Sequence, residues 1–279
     1  MKINISEIIR IALIFLFAIF ILFPLIWAIA SAFKPMDRIM ADAIPLSWKT
    51  IIPTPFTLNA FKYLLESTFR QSILLTVFVG LLTVFVGIFL NSMAGFSFAI
   101  FNFPGKKILF TIVVITFLIP FEAIAIPLYM VVRKLGWINT IYALIIPAIS
   151  NGLSIFLFRQ FFLGIPNDLK EAAIIDGAGW FRIYWQIYLP LAKPAAISAG
   201  LLLFLSQWKA FIWPLLATQS GNLRMVQVWI AYSTVGGDEI IFWNYLLAAG
   251  VITAIIPIIL IFPLQKFFIK GVSTSGLKG

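Results

Sequence analysis

The sequence predicts an all-α membrane protein with six transmembrane helices and a cytoplasmic helical segment between helices 4 and 5. Three observations carry that prediction. Of 279 residues, 62% are hydrophobic and 11% charged, with a mean hydropathy of +1.07, whereas soluble domains carry about 25% charged residues. Apolar runs long enough to cross a bilayer, about 20 residues as a helix, recur along the chain. The one long polar stretch in the C-terminal half, residues 166–190, still has helical patterning.

Composition also excludes. There is no Cys and no His, which removes disulfides, thiol chemistry and imidazole acid–base catalysis and leaves a metal without its best ligands. The net charge of +10 does not point to nucleic acid in a chain this apolar. It suits basic loops beside membrane helices and anionic lipid headgroups.

The expected elements follow in order. Residues 11–33 are uncharged and form the first span. Ala30-Ser31-Ala32, behind Lys2 and Arg10, has the look of a signal-peptide cleavage site. The apolar run exceeds the roughly 7–15 residues of such a signal, however, so a retained helix is expected. Residues 34–70, rich in Pro and charge, are expected as an extracytoplasmic loop. Further spans are expected at 72–97, 108–131, 140–158, 195–217 and 240–264, with 225–235 too short to cross and assigned to an external loop. Residues 1–279 then form a single transmembrane domain, without internal repeats.

Lys and Arg set the orientation. Lys2, Arg10, Lys106, Lys107, Arg159, Lys170, Arg182, Lys193, Lys266, Lys270 and Lys278 fall on the side of the N-terminus. Apart from the long loop 34–70, the opposite side holds Arg133, Lys134 and Arg224. Both termini and residues 166–190 are therefore expected to be cytoplasmic.

Within that segment, Asp168 and Glu171 have the spacing of a capping box after Pro166, and Ala172 and Ala173 are strong helix formers. Gly177 is expected to stop this helix, because glycine accepts the left-handed conformation of a C-terminal cap. A second helix is expected from about Gly179 to Pro190, with Trp180, Ile183 or Tyr184, and Ile187 on one apolar face. Such a face suits a partner's groove, the membrane surface or the chain's own bundle.

The pattern Glu171-Ala172-Ala173, Gly177, Ile187, Leu189 and Pro190 resembles the EAA motif of ABC-importer permeases at every position. Asp176 and Ala178 extend the likeness to the maltose-type carbohydrate permeases, as do Ile126-Pro127-Leu128-Tyr129, Phe158-Arg159-Gln160-Phe161-Phe162 and Trp213-Pro214-Leu215. The resemblance runs from about Gln71 onward, and Ser206-Gln207-Trp208-Lys209 departs from the Trp-Asn of many relatives.

It implies a permease subunit of a bacterial ATP-driven importer in the inner membrane. Residues 166–190 would be the coupling helix that docks on an ATPase through Glu171, Ala172, Ala173, Asp176, Gly177, Ala178, Ile187, Leu189 and Pro190. The implied partners are a second six-helix permease, two ATP-binding subunits, an external solute-binding protein and a sugar. ATP and Mg would be bound by the ATPase and no cofactor by this chain, which is not itself an enzyme.

The residues agree that no ATP site is present. Where a phosphate-binding loop needs G-x-x-x-x-G-K-[ST], Ile100 replaces the first Gly before Gly105-Lys106, and Lys107 replaces Ser or Thr. Polar groups inside spans are costly and so are candidates for the solute path. They are Asn91, Glu122, Asn151, Ser154, Gln207 and Lys209, with Tyr129 and Trp208 as stacking surfaces. Ser and Asn in membrane helices also tie helices together. Three alternatives stay open: a solute such as glycerol phosphate, a secondary transporter without an ATPase, and a membrane-embedded enzyme. The last two lack, respectively, inverted repeats and paired acid–base groups.

Overall fold

The computed structural model describes residues 5–235 and 242–273, and every regular element among them is helical. Positions 240 and 241 of the expected sixth span, and the charges of Lys2 and Lys278, lie outside the described residues. The N-terminal part holds α1 (Ile5–Ala32), α2 (Met36–Ala41), α3 (Trp48–Ile51), α4 (Asn59–Glu66) and α5 (Thr68–Ile100). The middle holds α6 (Lys106–Thr116), α7 (Phe121–Lys134), α8 (Ile141–Ile149), α9 (Gly152–Leu163) and α10 (Asn167–Ile175). Then come α11 (Trp180–Ile183), a π-helical turn (Tyr184–Tyr188), α12 (Leu189–Leu191), α13 (Lys193–Trp208), α14 (Ile212–Ala217), α15 (Val226–Val235) and α16 (Trp243–Ser273). The chain forms two compact units, Met1–Arg70 with Trp229–Ile256, and Gln71–Val228 with Pro257–Gly279.

In the first unit, α1 turns Ile14, Phe15, Phe17 and Phe20 outward. A lipid solvent accepts these side chains, while the helix satisfies its own backbone. Residues 34–70, expected as a loop, instead hold α2, α3 and α4. The cause is a buried charge that the composition of the stretch does not reveal. Lys34 has no exposed surface, and its ammonium lies 3.4 Å from the Asp42 carboxylate. It also donates to the Lys49 and Thr50 carbonyls, and the Thr50 hydroxyl donates to the Asp42 carbonyl at 2.7 Å. An aromatic stack of Phe33 with Phe56 and Phe61 completes the fold of this region. Tyr63 stacks on Tyr245 of α16 at 4.4 Å. Residues 225–235 are also more than loop: α15 occupies Val226–Val235, and Met225, Val226 and Val228, which belong to the second unit, are buried.

In the second unit, α9 packs against α6 and α13. It also approaches α5 so closely that a Cβ at Gly95 would stand 2.6 Å from the Phe158 Cβ and 3.1 Å from the Ile155 carbonyl. Small residues let membrane helices meet backbone to backbone in this way.

Three expected spans are interrupted. Helices α6 and α7 meet at 105° across residues 117–120, so 108–131 is not one straight helix. Pro120, extended at ψ 140°, cannot continue α6 because it lacks an N–H and clashes with the preceding turn. The fifth, 195–217, stops at Trp208 and resumes at Ile212. The fourth breaks at Ser150, in extended backbone between α8 and α9, and runs on to Leu163. Among the described residues, four helical stretches are long and apolar enough to cross a bilayer: Ile9–Ala32, Thr68–Ile100, Ile141–Leu163 and Trp243–Leu264. The number reaches six where each of two bent pairs, Lys106–Thr116 with Phe121–Lys134 and Trp180–Leu191 with Lys193–Trp208, is one span.

Candidate functional site

Residues 166–190 begin where Pro166, with extended ψ of 134°, delivers Asn167 as the first residue of α10. The expected capping box does not form. Pro166 is the N-cap and has no side chain to accept, which places Asp168 inside the first turn. There its charge favours the helix dipole without capping it.

The other end of α10 is closed by two backbone bonds. Gly177 N–H donates to the Ile174 carbonyl at 3.0 Å, and Ala178 N–H donates to the Ala173 carbonyl at 2.9 Å. With Gly177 at φ +74°, this is the Schellman arrangement. The four-residue separation of Ala173 and Gly177 thus has a local physical reason: Ala173 supplies the carbonyl that the cap closes on.

The second half of the segment turns inward. Ile183, Tyr184 and Tyr188 are buried with Phe96, Phe158, Phe162 and Ala173, while Ile187, Leu189 and Ala178 are partly buried against the same cluster. The expected apolar face therefore covers the chain's own bundle, with one correction of register. Trp180 is 46% exposed, and Tyr188 takes the inward position instead. Trp180 opens α11 at the rim of the cluster, where its ring meets Phe101 edge-on at 4.9 Å. Pro190 does not end the helix; it is the second residue of α12, and the break falls at Ala192. There the chain bends by 79° into α13.

What faces outward is the tip. Glu171, Ala172, Asp176, Gly177 and Pro190 are exposed, and Ile175 shows 86% of its surface. Among the described residues, neither Glu171 nor Asp176 takes part in an ion pair. A cleft of about 210 Å³ beside the tip is lined by Ala173, Asp176, Ala178, Arg182, Ile183, Gln186 and Ile187. Arg182 Nε donates to Gln186 Oε1 at 2.9 Å along its wall.

The intramembrane candidates divide into two groups. Asn151 caps α9, accepting from Ser154 N–H at 2.9 Å. Gln207 Nε2 donates to Thr83 Oγ1 at 3.1 Å and to the Leu144 carbonyl at 2.9 Å. Trp208 is buried and stacks on Phe204 at 5.7 Å. Ser154 is fully buried, and its hydroxyl has no partner among the described residues. Ser154, Gln207 and Trp208 are buried in the bundle, and Asn151 is half-buried. Tyr129 packs partly against the cluster of Val132, Ala143, Trp213 and Ala217. Glu122, in the first turn of α7, and Lys209, at the end of α13, are both exposed. They make no ion pair with each other.

Sequence reasoning passed over Ser92 and gave Tyr184 only a place on an apolar face; their hydroxyls meet at 2.7 Å. The signal was available: Asn91-Ser92 is a polar pair deep in an otherwise apolar helix.

Comparison with known proteins places this architecture. Residues 87–274 match the family described as binding-protein-dependent transport system inner membrane component. The arabinooligosaccharides transport system permease protein AraQ of Halalkalibacterium halodurans is 33% identical over 275 residues, covering 95% of this chain and 94% of that protein. AraQ of Bacillus subtilis is 31% identical, over 97% of this chain and 96% of that protein. The sn-glycerol-3-phosphate transport system permease protein UgpE of Rhizobium meliloti is 29% identical, over 91% of each. A solved bacterial ABC transporter involved in import of the acidic polysaccharide alginate contains a chain of the same fold, with a TM-score of 0.83 at 23% identity, covering 96% of this chain and 99% of that one. The protein is thus an integral membrane component of a transport system. The chain belongs to the binding-protein-dependent transport system inner membrane component family.

Proposed function

We propose that this chain is the permease subunit of a bacterial ATP-driven importer for carbohydrate, and that residues 166–190 dock on a separate ATPase. The observation that carries the docking role is the division of labour within the segment. One face is anchored in the bundle through Ala173, Ile183, Tyr184 and Tyr188, while the Schellman-capped tip leaves Glu171, Ala172, Ile175, Asp176 and Gly177 exposed. A rigid, anchored tip with unpaired acids and exposed Ile175 is shaped to fill a groove on a partner.

The names of the relatives support the importer and its solute class. In this reading a second permease completes the path, two ATPase subunits bind ATP and Mg, and an external binding protein delivers the solute. Both termini and the 166–190 segment lie on the cytoplasmic side, the chain crosses six times, and 34–70 faces outward. Glu122, Tyr129 and Lys209 are the candidates to touch solute. Asn151, Ser154, Gln207 and Trp208 shape the path by holding the helices.

Exposed Lys209, together with the likeness to UgpE, favours a second reading in which the solute is anionic, as sn-glycerol 3-phosphate is. One experiment separates these readings and tests the first. The complete transporter is purified from its host, and uptake of arabinotriose and of sn-glycerol 3-phosphate is measured in liposomes. A stoichiometric ATPase co-purifies, and uptake follows ATP. Absence of any ATPase, or uptake indifferent to ATP, overturns the proposal. Unchanged uptake in a well-inserted Glu171→Lys/Gly177→Val variant overturns the docking role of the tip.

A further inference from the structure

Resting on the docking role proposed above, we infer that Ser92 and Tyr184 are the positioning pair that carries movement of the 166–190 segment into the bundle, toward the break between α8 and α9. Tyr184 opens the π-helical turn and is 2% exposed. Its hydroxyl lies 2.7 Å from Ser92 Oγ on α5. Ser92 Oγ also donates to the Phe89 carbonyl at 3.0 Å. A serine hydroxyl has one proton, so the phenol is the donor and the serine oxygen the acceptor.

The next residue of α5 holds the other end. Asn91 is buried, and its Nδ2 donates to the Ile149 carbonyl at 2.8 Å and to the Gly87 carbonyl at 2.7 Å. Its Oδ1 accepts from Asn151 N–H at 3.0 Å. Ile149 closes α8 and Asn151 caps α9, so one side chain grips both lips of the interruption at Ser150. Two adjacent residues of one uninterrupted helix thereby join a π-helical turn to a broken span. Both ends are places where helical hydrogen bonding is already altered, the kind of element that can take two arrangements. The surrounding ring contacts, such as Phe96 with Tyr188 at 5.0 Å, tolerate sliding. A short hydroxyl–hydroxyl bond fixes distance and angle.

The test uses the complete transporter, reconstituted in liposomes with its ATPase subunits. The chain has no native Cys, so Ser150→Cys carries an environment-sensitive fluorophore, attached before the ATPase subunits are added. The probe is ATP with Mg. The parent responds to nucleotide. Ser92→Ala keeps ATPase binding but loses the fluorescence response by about tenfold, the scale of a coupling between sites. Tyr184→Phe gives the same loss without orphaning a hydroxyl, because Ser92 keeps its bond to Phe89. The double variant is no worse than either single one. A full response in Tyr184→Phe, or additive losses in the double variant, overturns the inference. So does a parent that binds and hydrolyses ATP without a signal at residue 150. A parent that binds no ATPase overturns the proposed function, and the inference with it.

Discussion

Gln207 sits in an apolar stretch with its amide nitrogen shared between the Thr83 hydroxyl and the Leu144 carbonyl. Each such bond contributes about 0.5–1.5 kcal/mol net, and an orphaned buried acceptor costs about 1–3 kcal/mol. Gln207→Leu is therefore expected to destabilise the purified protein by roughly 1–3 kcal/mol, read as a lower midpoint in thermal unfolding. The apparent KM for solute should not change, and a raised KM with unchanged stability would show instead that the amide meets solute. Gly177 obeys a different rule. At φ +74° a side chain costs roughly 1–2 kcal/mol, and nothing lies within 4 Å to obstruct it sterically. Gly177→Val is thus expected to leave membrane insertion intact and to abolish uptake by distorting the tip. The conformational need at Gly177 was legible from the motif spacing. The use of Gln207 was not, because its partners lie 124 and 63 residues away.

At the scale of elements, the contact between α5 and α9 depends on Gly95 having no side chain, since a Cβ would reach the Arg159 backbone nitrogen at 3.0 Å as well as Phe158. Gly95→Val forces backbone apart, with an expected cost of about 1–3 kcal/mol and a measurable drop in folded yield in detergent. Residues 34–70 supply a second case. Lys34→Met leaves the buried Asp42 carboxylate unmatched and is expected to cost about 3–5 kcal/mol. Lys34→Met with Asp42→Leu should recover most of that loss in the same unfolding measurement. Helices α1, α5 and α16 were legible because long uncharged runs suffice to specify them. Helices α2 to α4 were not, because a Lys in a polar stretch gives no sign that it will be buried. Pro120 and Pro147 look alike in the sequence, yet only the first separates two helices; Pro147 lies inside α8.

For the whole molecule, the absence of a phosphate-binding loop sets an expectation about energy supply. The purified chain alone should hydrolyse no ATP above the detergent blank, while the co-purified assembly hydrolyses it and is stimulated by the loaded binding protein. Hydrolysis by the isolated chain would move the ATP site onto it. The apolar exterior, with Phe85 at 78% and Phe262 at 70% exposure, requires that these assays be run in lipid or detergent.

The sequence by itself determined the solvent of this protein, its helical class, its family pattern and the cap at Gly177, because each follows from local composition or from spacing within a few residues. The tertiary structure alone decided which face of the 166–190 segment is buried, and that Ser92 meets Tyr184 while Asn91 bridges the break at Ser150. Those outcomes depend on contacts between residues some sixty to ninety positions apart. The pairing of such residues is chosen by packing, and packing leaves no mark in the local pattern of either partner.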